Sequence, residues 1–440
     1  YTGHTIRDIM DWDEHELEDN LKLSHKAKKA WKDKSIDDRT TLVRSIGGVL
    51  TARRERIADT ITEEMGKTTA EALMEVDKCA KVCEWYADNG PDYISDKTVE
   101  TDAQVSFISY EPVGTVLGIM PWNYPLWQVI RFVAPALIIG NTVLLKHASN
   151  VQGVANMIQS IMLKAGVPRG VFINLRVPSS AMASIVADHR VDYVTLTGSE
   201  LAGARVAAVA GRNLKKSVME LGGSDPFIVL ESADIDEAVK HAVIARYQNA
   251  GQVCIAAKRF IIVDAIREEF VSKFVKAVGD LKYGDPRDPT TTLAPMVSEK
   301  ARDEVLDIVN SLRNGENLLA GGNPIGYAGM EATIIDDVDP DFQEEIFGPV
   351  ALLIRARDEN EAINIANNSR YGLSSSLWCK GVHKAFLLSK RIETGAVFIN
   401  TISRSDPRLP FGGTKLSGYG REMGEAGMHE MCNIKTVYIK

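Results

Sequence analysis

A chain of 440 residues is longer than one ordinary hydrophobic core organises, so two or three domains are expected. Its 45% hydrophobic and 25% charged residues are those of a soluble globular protein. The formal net charge of -8 argues against nucleic acid as a partner, because phosphate binding needs a basic surface.

From about residue 14 to 92 apolar residues recur at spacings of three and four among many charges, which predicts three amphipathic helices covering a sheet. Cys79 and Cys83 sit four apart in that pattern and read as buried, apolar-like residues on one helix face. Gly66-Lys67-Thr68 is no phosphate loop, since the position five before Gly66 is Ile61 and the context is helical. Residues 99 to 119 alternate β-branched and aromatic types around Glu111-Pro112-Val113-Gly114, the pattern of a strand pair. The apolar stretch from Val129 to Leu145 is broken by Arg131, Pro135, Gly140 and Asn141, and so is no membrane span. Short apolar runs at Thr142 to Lys146, Val171 to Asn174, Val191 to Leu196 and Lys216 to Glu220 then alternate with helical stretches. That alternation predicts a doubly wound parallel α/β sheet with ligands at the carboxyl ends of its strands. A second α/β series follows Gly223 and runs to about Gly413, and Asn433 to Ile439 reads as a lone strand with nothing left in the chain to pair. Five cysteines are few and odd in number, which fits a reducing cytoplasm, and no signal peptide is read at the start. The eight histidines show no ligand spacing, so no metal site is expected.

The chemistry centres on Cys254, in Gly251-Gln252-Val253-Cys254, with Glu220-Leu221-Gly222-Gly223 and Pro121-Trp122-Asn123-Tyr124-Pro125 before it. A thiol, a carboxylate and a rigidly mounted amide suffice to capture a carbonyl covalently and to hydrolyse the resulting thioester, provided a hydride is removed between the two steps. Glu220 ends an apolar strand before two glycines and therefore projects into a crevice that backbone approaches closely. Lys146 ends another strand, with Ser149-Asn150 as capping residues after it, and Gly198-Ser199 open a further helix. Two such helix N-termini suit a pyrophosphate.

Together with Thr197-Gly198-Ser199, Glu345-Ile346-Phe347-Gly348-Pro349, Pro410-Phe411-Gly412-Gly413 and Lys415-Leu416-Ser417-Gly418, these motifs resemble the NAD(P)-dependent aldehyde dehydrogenase superfamily, in its order and over nearly the whole chain. Glu220 to Pro226 and Lys146 to Asn150 look most like the bacterial succinate-semialdehyde dehydrogenases. The resemblance implies a Rossmann-like cofactor domain from residues 1–96 and 113–221, a catalytic domain at 222–415, and oligomerisation strands at 97–112 and 430–440. A homodimer or dimer of dimers follows. It implies Cys254 as nucleophile, Glu220 as the base that activates water, and Asn123 as oxyanion donor. The cofactor would meet Trp122, Lys146, Ser149, Gly198, Ser199, Leu221, Glu345 and Phe347. NADP is expected to be preferred, with NAD possible, because Ser149 stands where many NAD-preferring relatives carry a glutamate. Ala256 stands where some relatives place a second cysteine, so no local disulfide switch forms.

Substrate choice is expected to rest on Arg131, eight residues after Asn123, as a pocket charge whose natural partner is an anionic tail. Tyr124 and Trp127 would line the same pocket, and Ser405, five before Pro410, matches a serine that contacts the substrate carboxylate in the succinate-semialdehyde dehydrogenases. A second arginine found in some semialdehyde dehydrogenases is replaced by Gln248, and Arg408 or Arg404 is the substitute to look for. Glutarate semialdehyde or a neutral aliphatic aldehyde are the rival substrates, and a catalytically silent protein on the same scaffold is the rival of another class.

Overall fold

The computed structural model describes residues 1–440. It opens with four helices rather than three, Glu14–Lys32, Ile36–Ala52, Arg54–Met65 and Thr69–Tyr93. The extra break falls at Arg53, whose backbone leaves helical geometry without a proline or glycine to announce it. Gly66, at φ 87°, ends the third helix, and Thr68 with Glu71 forms a capping box on the fourth, so Gly66-Lys67-Thr68 is a helix junction.

These helices, with the wholly buried helix Trp127–Ile139, share one core of 47 buried hydrophobic residues with a six-stranded sheet. That sheet runs in the order Gly418–Tyr419, Lys216–Glu220, Tyr193–Thr197, Thr115–Met120, Thr142–His147, Phe172–Asn174. All pairs are parallel except the first, where Gly418 faces Glu220 from the antiparallel edge. The order reverses at Thr115–Met120, and the register there sets Ile119 beside both Lys146 and Leu196. The chain turns that carry Asn123, Lys146, Thr197 and Glu220 therefore open onto one crevice at the strands' carboxyl ends.

A second, seven-stranded sheet holds Asp225–Val229, Ala257–Val263, Thr333–Ile335, Val350–Ala356, Ser374–Trp378 and Ala396–Ile399 in parallel, with Leu318–Ala320 antiparallel at one edge. Cores of 24 and 20 buried residues pack on it. Near-continuous apolar runs such as Phe260-Ile261-Ile262-Val263 belong in a sheet covered on both faces.

The strand pair expected around Glu111 to Gly114 does not form. Val105–Pro112 pairs instead with the terminal strand Cys432–Ile439, residue for residue from Val105 against Ile439 to Pro112 against Cys432. Thr115–Met120 enters the parallel sheet. The terminal strand thus has a partner in its own chain, and Lys97–Thr98 completes a three-stranded antiparallel sheet. No helix is long and apolar enough to cross a membrane.

Candidate active site

Cys254 follows a left-handed turn. The helix Ile235–Tyr247 ends, and Asn249, Ala250 and Gly251 take φ of 52°, 52° and 71°. Left-handed backbone is costly for Asn and Ala, so the turn persists only because its surroundings hold it. The fully buried Arg246 guanidinium donates to the carbonyls of Gly251 at 2.7 Å, Gly348 at 2.8 Å and Ala257 at 3.1 Å. Glu71 accepts the Asn249 N–H at 2.6 Å. A Cβ on Gly251 would lie 2.3 Å from the Gly348 carbonyl oxygen, so only glycine lets the two loops touch.

Asn123 is tied to this turn. Its side-chain amide donates to the Gln252 carbonyl at 2.9 Å, while Asn249 donates to the Asn123 carbonyl at 3.0 Å. One N–H of the Asn123 amide remains, and Gln128 fixes the amide's orientation by donating to its oxygen at 3.0 Å. The next turn is clamped from the opening helices: Glu75 accepts the N–H groups of Leu126 and Trp127 at 2.8 and 2.9 Å and pairs with Lys67 at 2.6 Å.

A cavity of about 560 Å³ opens at the thiol. The structure gathers Cys254, Tyr124, Trp127, Arg131 and Ser405 on its wall, together with Gln248 and Arg404. Arg408 does not reach it. That side chain lines an adjoining cleft and is held by Asp406 through contacts of 2.8 and 2.6 Å, because the two lie in one tight turn. Gln248 donates to the Tyr124 hydroxyl at 3.1 Å.

The premise that Arg131 lacks an internal counter-charge does not hold. Its Nε lies 2.5 Å from Glu422, its Nη2 donates to Thr197 at 3.0 Å, and its guanidinium stands over the Phe411 ring. Every residue of its helix is buried. Glu422 arrives from a distant part of the sequence, so no local pattern announces the pair.

Glu220 is not on the cavity wall; it lies near Arg131 and Glu422, only 2% exposed, and neither of its carboxylate oxygens has a hydrogen-bond partner. Burial raises its pKa well above the ordinary carboxylate range, and nearby Glu422 adds to the rise against Arg131 and Arg421. Burial also pushes the Cys254 thiol up to about 11, opposed by Lys258 and Arg131. The sulfur is therefore a thiol at rest, and its proton must leave before it attacks.

On the other side of Cys254, the Trp122 and Phe347 rings meet edge to face at 5.9 Å. Glu345 accepts the Gly223 N–H at 3.0 Å and lies 3.3 Å from the buried Lys258 ammonium. A Cβ on Gly222 would fall 2.2 Å from Glu345, and one on Gly203 would fall 2.5 Å from Leu221, so both glycines serve close packing.

Of the two helix N-termini expected to take a pyrophosphate, one is already occupied. Glu64 accepts the N–H groups of Gly153 and Val154 at 2.7 and 2.9 Å, and Ser149 lies in a short 3-10 turn without capping anything. The other, at Gly198-Ser199, is open to solvent, with Ser199 capping Ala202. Lys146 is a buried cation without a carboxylate partner, donating only to the neighbouring His147 carbonyl at 2.7 Å, and burial lowers its pKa. A free helix N-terminus and an uncompensated lysine on one crevice fit an anionic dinucleotide.

This arrangement defines an aldehyde dehydrogenase. Residues 1–437 match the aldehyde dehydrogenase family model, and the chain belongs to that family. It is 45% identical over 429 residues to the NAD(P)+ succinate semialdehyde dehydrogenase Sad of Escherichia coli strain K12, covering 96% of this chain and 93% of that protein. It is 47% identical to an NADP+ succinate-semialdehyde dehydrogenase of Mycobacterium avium, over 89% of this chain and 85% of the relative. Among solved structures, the succinic semialdehyde dehydrogenase of Streptococcus pyogenes in complex with NADP+ superimposes with a TM-score of 0.97 at 37% identity, over 100% of this chain and 98% of that one.

Proposed function

We propose that the protein oxidises succinate semialdehyde to succinate through a covalent intermediate on Cys254, with NAD(P) as hydride acceptor. The observation that carries the reading is a cavity with the Cys254 thiol on its wall, an amide locked to the same turn, and the orphaned buried carboxylate of Glu220 near Arg131, which lines that cavity. Bound NAD(P) supplies the site that accepts the hydride; Trp122, Lys146, Gly198, Ser199, Leu221, Glu345 and Phe347 would hold it. All other steps belong to the chain's own residues.

Cys254 loses its proton to bulk water, and the thiolate sulfur attacks the aldehyde carbon, the carbonyl π pair moving onto oxygen. The carbonyl oxygen becomes an oxyanion between the free N–H of the Asn123 amide and the Cys254 backbone N–H, each such donor contributing roughly 3 kcal/mol. Once the hydride has left, the carbon is a thioester. Glu220 takes a proton from the water that attacks it, the carbon–sulfur bond breaks, and the carboxylate product leaves. Glu220 acts there in its ionised form, and the burial that raises its pKa makes that carboxylate a stronger base than an exposed one.

NADP is the preferred cofactor in this reading and NAD a second one, since Ser149 is small, exposed and uncharged. The exposed terminal strand Cys432–Ile439 leaves one edge of its sheet unpaired, which supports assembly of copies through that edge. The five free cysteines suit a reducing cytoplasm.

The test is NAD(P)H formation with succinate semialdehyde, glutarate semialdehyde and butanal. Succinate semialdehyde should give the highest kcat/KM, and Cys254→Ala should bind cofactor and oxidise none of the three. A higher kcat/KM for butanal would overturn the substrate assignment, and turnover by Cys254→Ala would overturn the covalent mechanism. No turnover of any aldehyde by the wild-type chain would leave a binding scaffold.

A further inference from the structure

Lys78 lies on the helix Thr69–Tyr93 at the junction of the Cys254 cavity and the adjoining cleft, lining both. Its ammonium stands 3.9 Å from the centre of the Trp127 ring and donates to the Ser405 hydroxyl at 2.6 Å. No carboxylate is within ion-pair distance, although acids are near. Asp77 is held by Arg54 at 2.6 and 2.8 Å, Asp406 by Arg408, and Glu75 by Lys67 and two backbone N–H groups.

We propose that Lys78 is a specificity-determining residue whose ammonium joins Ser405, the serine expected from the resemblance to contact the substrate carboxylate, in seating that carboxylate. The inference rests on the reading that Cys254 oxidises an aldehyde. An ammonium has three donors, of which Ser405 accepts one. With its oxygen engaged by Lys78, the Ser405 hydroxyl has its own hydrogen free to donate to an anion, so the two groups present a matched pair of donors. Arg131 shares the cavity but already has Glu422, whereas Lys78 is half-buried with no counter-charge. A ligand carboxylate brings the charge that the fold withholds.

The titration of Lys78 agrees. Burial lowers its pKa to about 8, Cys79, Glu75 and Asp406 acting upward and Arg131 downward. Asp77 and Lys81 flank it on its own helix, and Arg404 and Arg408 face the two cavities from the loop opposite. A seat built on this ammonium weakens as pH rises through about 8.

The experiment measures kcat and KM of the cofactor-saturated enzyme for succinate semialdehyde and butanal, in wild type, Lys78→Met, Lys78→Arg and Ser405→Ala, across that pH. Lys78→Met preserves the aliphatic contact with Trp127. It should raise KM for succinate semialdehyde relative to butanal about tenfold or more, the loss of one charge-assisted hydrogen bond. Lys78→Arg should restore most of the preference and abolish the alkaline rise in KM, because guanidinium stays charged. Ser405→Ala should give a smaller selective loss. Equal changes for both aldehydes in Lys78→Met, or an alkaline rise that persists in Lys78→Arg, would overturn the proposal. Should Lys78→Met not fold, the Lys78→Arg pH profile and Ser405→Ala decide it alone. A wild type that does not prefer the carboxylated aldehyde would instead overturn the succinate semialdehyde reading itself.

Discussion

Glu75 offers a severe test of how the opening helices hold the active-site loop. Both Glu75 and Lys67 have fully buried side chains, with 2.6 Å between their charged atoms, and the Lys67 ammonium lies 3.6 Å from the centre of the Tyr124 ring. The second oxygen of Glu75 accepts two N–H groups at the start of the helix Trp127–Ile139, where a helix has no internal partners for them. Glu75→Gln keeps an acceptor for those N–H groups but turns an amide donor towards Lys67. Removing one partner of a buried pair costs about 3–5 kcal/mol, and losing the anion at a helix N-terminus adds about 0.5–1 kcal/mol. The expected destabilisation is therefore about 4 kcal/mol. The double variant Glu75→Gln/Lys67→Met should be more stable than additivity predicts by about 2 kcal/mol, since no buried ammonium is left unpaired. The assay is the first urea transition followed by tryptophan fluorescence, as a protein of this size need not unfold in one step. In folded Glu75→Gln, kcat should fall in parallel for charged and neutral aldehydes, because Asn123 lies in the turn that leads into the helix start Glu75 clamps. A loss below about 1 kcal/mol, or strict additivity in the double variant, would refute the argument.

Glu220→Gln should separate the two half-reactions: a pre-steady-state burst of NAD(P)H survives while steady-state turnover collapses, and equal loss of both would assign Glu220 to thiol activation instead. Ser149→Glu should shift the NADP/NAD ratio of kcat/KM towards NAD by repelling a 2′-phosphate, and an unchanged ratio would remove Ser149 from that site. His147 is fully buried, with Nε2 2.8 Å from the Pro125 carbonyl and Nδ1 accepting the Ala148 N–H at 2.9 Å. Burial lowers its pKa from 6.5 to about 4. As pH falls through 6.5 the unfolded imidazole takes up a proton that the folded one refuses, so stability drops by about 3 kcal/mol down to pH 4 and is flat in this group above 6.5. His147→Asn should lose that acid limb in urea midpoints measured across the window, and an identical pH dependence would refute the assignment.

The sequence by itself determined the family and the doubly wound sheet, for a physical reason: each rests on local order. The turn at Pro121 to Pro125, the strand ending at Glu220 and the glycines after it are set by residues adjacent in the chain, and so is the alternation of apolar runs with helices. Tertiary structure alone decided how charges were compensated. Arg131 looked uncompensated because Glu422 is remote in sequence, and the helix start near Ser149 looked free because Glu64 arrives from another helix. Arg408 was set aside by its neighbour Asp406, and Lys78 emerged because every nearby acid was already engaged elsewhere. The strand Val105–Pro112 likewise passed over its neighbour in the chain to pair with the terminal strand. Hydrophobic periodicity repeats along the chain and is legible there. Ion pairing and strand pairing join residues that only folding brings within a few ångströms, and the charge left over in the active site is what remains after all those pairings are made.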